Sequence, residues 1–561
     1  MSPASSTSPA ASRCPAPDHA AAWGAPKTPH IPFDKRRVLT LSALFAATVL
    51  VAGCGGGGGG GGSSPFPPST SGGPTPPAPA PAPTPSPAAA TAQLCAPTNP
   101  YRADADVTTT LGSLDNEKAW LNTYLTGAYL WYSEMPTVDA GLATYSNTAD
   151  VYTSLDNYFN AQLTPALTAS GKRRDAFSFI YPTKQWNDLA QSGAVSGYGI
   201  EWYFGSSTPP RGLRIVYVEA GSPAAAAGLQ RGDTLVTADG VSADVATTDG
   251  VNTLNAALFP SANGQAHSFS FTRNGSPLTR TLTSATVIKQ TVPKVQVLNN
   301  GGSKVGYMVF TDHLASAEQP LIDAINTLKA GNVTDLVLDL RYNGGGYLYI
   351  ASELAYMIAG PSATSGQVFE QLQYNSKRTA DTNSADARTP FYDSSCILDS
   401  NFNCSAVNPL PTLGLSRVSI LTTGGTCSAS EAIINGLRGV GIDVRLIGET
   451  TCGKPYGFTA KDNCGISYFP IEFKGVNAQG YGDYADGFGA TCAASDDLDT
   501  PLGDPSENQL AGALYNLSNN TCNPASFSAR KHTLGASRGG MVSGLLRGPE
   551  RENRIVLAPK R

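Results

Sequence analysis

The sequence predicts an α/β fold with a largely parallel sheet, preceded by a region of short strands and, before that, a helical segment. Three observations predict it. From residue 304, strand-length apolar runs alternate with stretches of helical period: "KVGYMVF", then "AEQPLIDAINTLKAG", then "VTDLVLDLRY". Strand and helix continue to alternate through "YLYIASELAYMIAG" (347–360), "RVSILTT" (417–423) and "DVRLIGET" (443–450). Such alternation implies right-handed crossovers that join parallel strands. Between about 195 and 290 the pattern is different, with short strands separated by turn signals such as Asn274-Gly275.

In chain order, the first element is an export signal, 1–53. Lys35-Arg36-Arg37 precede a 13-residue apolar run, Val38 to Leu50, which is too short to span a bilayer comfortably and suits a signal core. A true start nearer to Lys35 fits the unusual length of what precedes it. The run ends in Val51-Ala52-Gly53-Cys54, which resembles a bacterial lipobox, with Cys54 as the lipid-bearing residue. Gly55 follows, and in Gram-negative lipoproteins a non-aspartate there implies the outer membrane, facing the periplasm. Residues 54–94 are a Gly- and Pro-rich linker expected to be disordered. With Cys14 and Cys54 set aside, eight cysteines remain, an even number that suggests disulfides in an oxidising compartment. The short spacing of Cys396 and Cys404 makes them a favoured pair.

Residues 95–190 read as helical. Trp120, Leu121, Tyr124, Leu125, Ala128 and Tyr129 fall at helical spacing, with Pro136 ending the run, and a second helix reads through "VYTSLDNYFNAQLTPAL". Residues 191–290 form the short-strand region, 291–527 the α/β core, and 528–561 a basic, Gly- and Arg-rich tail expected to be disordered. A net charge of −5, with only 14% charged residues and no basic stripe ahead of that tail, excludes a nucleic-acid binder.

"AGSPAAAAGLQRGDTLVTADG", from residue 220, resembles a PDZ domain. The resemblance implies capture of an extended peptide on a sheet edge, with its terminal carboxylate on backbone amides. The segment Gly197-Tyr198-Gly199-Ile200 is the candidate carboxylate loop.

In "TCSASEAIING" (426–436), a strand and the Gly424-Gly425 turn lead into Ser428 and Ser430 at a helix start. Ser430 and Glu431 suit a helix cap. A hydroxyl at such a junction also lies beside free backbone amides, the setting for a nucleophile. A serine nucleophile needs a base. The candidates are His267 in the short-strand region, His532 in the tail, His313 just after a strand, and Lys454 in "GETTCGKPYGF". No P-loop, HExxH or dinucleotide fingerprint accompanies them, and no cofactor or metal is expected.

"VLDLRYNGGG", "TCSASE" and "GETTCGKP", in that order after a PDZ-like region, resemble the C-terminal processing (tail-specific) peptidases of the Ser/Lys type, peptidase family S41. The resemblance covers about 195–500. It implies a ClpP/crotonase-like core with an inserted or preceding PDZ-like domain. It further implies Ser428 as nucleophile, with Ser430 second, and Lys454, 26 residues on, as base. The implied oxyanion donors are Gly344, Gly345 and the Ala429 amide, with Thr451 in support. Phe458 stands where many members have a glutamine that orients the lysine. Cys427 and Cys452 flank the two catalytic loops, and a disulfide between them would hold Ser428 and Lys454 within reach of each other. A distant branch of this fold uses histidine, which keeps His313 as a reserve base. The function implied is a membrane-tethered serine endopeptidase acting on polypeptides near their C-termini. The alternative is a peptide-binding lipoprotein with weak or no activity, which Phe458 favours.

Overall fold

The computed structural model describes residues 91–524 and 554–556, except 106, 207 and 399–403. These lie in one of the two units into which the chain divides, 82–561. The export signal, Cys54, the linker as far as residue 90, and most of the basic tail lie outside the described residues. Among the described residues no helix is long and apolar enough to cross a membrane.

The core sheet follows the expected alternation. Lys294–Asn300 and Ser303–Val309 form an antiparallel hairpin. Ser303–Val309, Asp335–Asp339, Arg417–Thr422, Asp443–Gly448 and Cys492–Ala493 then lie side by side, all parallel. Every residue of Asp335–Asp339 is buried, because helices cover both faces. Successive side chains point to opposite faces. Tyr307, Val309, Val337, Leu421 and Ile447 therefore meet the helix Asn508–Asn519 on one face. Met308, Leu336, Leu338 and Ile420 face the other way, into a core shared with Glu318–Ala330, Leu348–Ala359 and Ala429–Gly439. Each such aliphatic side chain contributes roughly 1.5–3 kcal/mol by leaving water. The loops at the carboxyl ends of these strands carry the chemistry.

The N-terminal segment packs into the same core. Leu114–Ala128 starts on Ser113, whose hydroxyl accepts the Asn116 amide (3.2 Å), and buries Trp120, Leu121 and Leu125. The helix stops at Ala128 instead of running to Pro136. Tyr129 turns extended, and the Leu130 amide donates to the Ile471 carbonyl at 2.7 Å, so a tertiary bond replaces the next helical turn. Val151–Ala161 is the second helix, capped by Asp150. Phe179–Pro182 then pairs antiparallel with Ile466–Phe469 of the core, and the Cys95–Cys464 disulfide joins the same two regions.

In the short-strand region the strands lie in the order Ser276–Thr283, Ala266–Arg273, Thr234–Ala238, Arg214–Val218, Ile200–Tyr203, the last at a sheet edge. Asn274 and Gly275 both have positive φ (49° and 80°) and turn the expected hairpin. Ala194–Gly197 pairs with Ala285–Ile288 where the chain enters and leaves this region. The expected Cys396–Cys404 bond is present, as are Cys427–Cys452 and Cys492–Cys522. Within the segment expected to be an unstructured tail, Arg554–Val556 forms a strand parallel to Gly345–Tyr347. Its partner lies some two hundred residues upstream, and the one local signal is the short apolar run Ile555-Val556-Leu557.

Candidate active site

Ser428 sits where the strand Arg417–Thr422 turns into the helix Ala429–Gly439. Its φ is +61°, a left-handed value that costs a non-glycine residue about 1–3 kcal/mol and persists only where the surroundings enforce it. The enforcing bonds run to the neighbouring loop. Thr423 Oγ1 donates to the Arg341 carbonyl (2.5 Å) and Thr426 Oγ1 to that of Leu340 (2.8 Å). The Cys427 amide (3.2 Å) and the Ser430 hydroxyl (3.0 Å) both donate to the Asn343 carbonyl. The Ser430 hydroxyl is therefore committed to structure. The Ser428 Oγ is buried and has no hydrogen-bond partner.

The loop that receives these bonds is itself anchored. The buried Arg341 guanidinium bonds Asp339 (3.0 and 2.7 Å), Asp496 (2.7 Å) and Glu507 (2.8 Å). The Tyr307 hydroxyl also donates to Asp339. Beyond Arg341, the Gly345 amide donates to Asn343 Oδ1 (2.9 Å), which also meets His313 Nδ1 (2.9 Å). Of the two glycines expected to hold an oxyanion, Gly345 thus has its amide engaged within the loop.

Lys454 lies beyond the next strand, Asp443–Gly448, and is wholly buried. Its Nζ lies over the Phe458 ring (4.4 Å to the centroid) and the Phe177 ring (5.1 Å). The residue in the glutamine position therefore offers the amine a ring face. Phe177 comes from the N-terminal segment, and nothing local in the sequence marks it.

Glu431 joins the two loops. Its carboxylate accepts from the Ser428 amide (3.0 Å), the Thr451 hydroxyl (2.5 Å), and the Gly453 (2.9 Å) and Lys454 (2.8 Å) amides. One oxygen, Oε2, takes both the Ser428 and the Lys454 amide, so those nitrogens are no further apart than the two bonds laid end to end. Burial pushes the Glu431 carboxyl up from the ordinary range, and the hydrogen bonds from Thr451, Lys454, Ser428 and Gly453 draw it back down. Thr451 also accepts the Phe488 amide (2.8 Å). The Cys427–Cys452 disulfide ties the same loops, with Cα atoms 5.2 Å apart. The sequence suggested only a helix-start role for Glu431; its place three residues after Ser428, at a cap, was the available signal.

His313 is fully buried. Burial pushes its imidazole down to about 4, against the pull of its bond to Asn343, and Nε2 has no hydrogen-bond partner. His267 Nδ1 lies 2.5 Å from Asp239 in the short-strand region, and His532 lies outside the described residues. In the candidate carboxylate loop, Gly197 closes a strand and Ile200 opens the edge strand. Tyr198 buries its ring against Phe269 (5.5 Å). Gly199 has φ +75°, and a Cβ there would come within 2.3 Å of Ser222 Cβ. Among the described residues one set of metal-binding residue types converges, Cys427, Glu431 and Cys452, and its two sulfurs are joined to each other.

Comparison with known proteins gives a match to the family model "Peptidase family S41" over residues 304–461, which takes in both Ser428 and Lys454. A PDZ domain model matches 214–252. Over 172 residues the chain is 32% identical to carboxyl-terminal-processing peptidase 2, chloroplastic, of Arabidopsis thaliana, covering 29% of this chain and 32% of that protein. Over 284 residues it is 25% identical to a carboxyl-terminal-processing protease of Synechocystis sp., covering 50% of this chain and 58% of that one. The matched regions thus span between about a third and three fifths of these relatives. A crystal structure from Bacteroides fragilis NCTC 9343, assigned as an S41 protease, shares the fold with a TM-score of 0.53 at 24% identity, covering 72% of this chain and 97% of its own.

Proposed function

We propose that this chain, which matches the family model "Peptidase family S41" over 304–461 and a PDZ domain model over 214–252, is a serine endopeptidase with Ser428 as nucleophile and Lys454 as base. The observation that supports the reading is the shared Glu431 carboxylate, which accepts the backbone amides of both Ser428 and Lys454 and so holds the two buried loops together. Ser428 Oγ attacks the peptide carbonyl, and its proton passes to the neutral Lys454 amine and then to the leaving amine. Water hydrolyses the acyl-serine with the same amine as base. The Ala429 amide, first in its helix and so without an intrahelical acceptor, and the Gly344 amide are the oxyanion donors.

The PDZ domain holds a polypeptide end at the Ile200–Tyr203 edge, close to the loop 197–200. Cys54, lipidated after export, tethers the enzyme to the outer membrane on its periplasmic side. The experiment is cleavage of an unfolded polypeptide, followed by mass spectrometry. Ser428→Ala and Lys454→Ala are expected to lose activity by a factor of about 10⁴ or more, and His313→Ala to keep the base-dependent step. Cleavage by Ser428→Ala equal to wild type, or none by either, favours the alternative of a peptide-binding lipoprotein. Loss in His313→Ala with retention in Lys454→Ala transfers the base to histidine.

A further inference from the structure

The strand Gly345–Tyr347 leaves the candidate oxyanion loop with two edges. One is taken by His313, whose amide donates to the Gly345 carbonyl (3.1 Å) and whose carbonyl accepts the Tyr347 amide (2.8 Å). A Cβ at Gly346 would lie 2.5 Å from that carbonyl oxygen, so only glycine lets the two backbones meet. Backbone polar groups alternate along a strand, so the Gly346 N–H and C=O point the other way. On that second edge lies Arg554–Val556, in parallel register, Gly345 opposite Arg554 and Tyr347 opposite Val556. The same segment runs beside Tyr456–Gly457, which follow Lys454. It is therefore seated between the element that follows the oxyanion loop and the element that follows the base. Ser428 is wholly buried in this arrangement, so a substrate reaches it only if something moves.

We propose that residues 554–556 act as an intramolecular competitor for the substrate position, adding to the edge of Gly345–Tyr347 as a strand, and that polypeptide substrates add at that same edge once the segment leaves. The proposal deepens the peptidase reading and rests on it for the identity of the displaced ligand. Addition of a strand uses main-chain hydrogen bonds and so tolerates many sequences, which a tethered competitor and diverse substrates both require. Tethering supplies the segment at an effective concentration of about 1 mM, so a Kd near ~0.1 mM occupies the cleft about nine-tenths of the time.

Docking is read without turnover in the full chain carrying Ser428→Ala. Amide hydrogen exchange at Gly346 is expected to be about tenfold slower than in the same chain lacking 548–561, with Tyr347, bonded to His313, as the internal reference, and a synthetic peptide of residues 548–561 is expected to restore the protection. Val556→Pro removes the N–H that alternation assigns to the Gly346 carbonyl, and should match the deletion without shortening the chain. In otherwise wild-type protein, deletion should lower the apparent KM for an unfolded polypeptide about tenfold at unchanged kcat. Equal exchange in the full, deleted and Val556→Pro chains overturns the proposal whether or not the protein is a peptidase. Protected amides with no hydrolysis by any chain sustain the docking and overturn the peptidase reading instead.

Discussion

Replacing Glu431 by alanine leaves three amides and the Thr451 hydroxyl without their acceptor in a buried site. Orphaning buried polar groups on this scale costs about 3–5 kcal/mol. Urea unfolding should show a loss of that size in Glu431→Ala, with kcat falling even where the protein remains folded. Phe458→Leu tests the ring that faces Lys454 Nζ. The change removes three buried carbon atoms from a ring packed on Phe179 and Phe469 and should cost roughly 1–3 kcal/mol in stability. A larger fall in kcat than in stability is expected, and an unchanged kcat would show that the ring does not position the amine. The placement of Ser428 at a helix start and of Lys454 beyond a strand was legible because those motifs are local. Phe177 was not, because it reaches the amine from a segment far away in sequence, and Asn343 was not, because its role depends on what its carbonyl and side chain receive after folding.

The loops bearing Ser428 and Lys454 are joined by Cys427–Cys452 across 25 residues. Closing a loop of that length is worth about 3.5 kcal/mol in the chain-entropy view. The double variant Cys427→Ser, Cys452→Ser should lose about that much in thermal or urea unfolding and lower kcat more than it raises KM; unchanged kinetics would mean that Glu431 alone sets the geometry. The strands and helices of the core were legible because their period and burial agree, as in Asp335–Asp339 and Ala429–Gly439. The end of the first helix was not, because the bond that stops it comes from Ile471, which no window around Tyr129 contains. Arg554–Val556 is different: Ile555-Val556-Leu557 is a short apolar, partly β-branched run that suits a strand, but its pairing partner lies far upstream and the basic character of the surrounding tail outweighed it.

Burial across the whole molecule leaves a signature in its pH dependence. Glu370 is wholly enclosed, and burial pushes its carboxyl up to about 8 from 4.5. The folded state therefore binds this proton more tightly than the unfolded chain does. Its stabilising effect is complete below pH 4.5 and is lost as pH rises towards 8. The loss is on the order of 5 kcal/mol at about 1.4 kcal/mol per unit. Glu117, pushed up to about 7 by burial against bonds from Ala96 and Asn99, acts in the same direction. Urea midpoints should fall from pH 5 to pH 8, and Glu370→Gln should flatten much of that slope; an unchanged slope would place the effect elsewhere. The Cys95–Cys464 bond spans 369 residues. A ribosome delivers Cys95 long before its partner, so this cross-link can be sealed only after the whole stretch between them has been made. Once sealed, it makes the molecule tolerant of scission: a nick anywhere in that stretch leaves both fragments covalently joined, and only a reductant can part them.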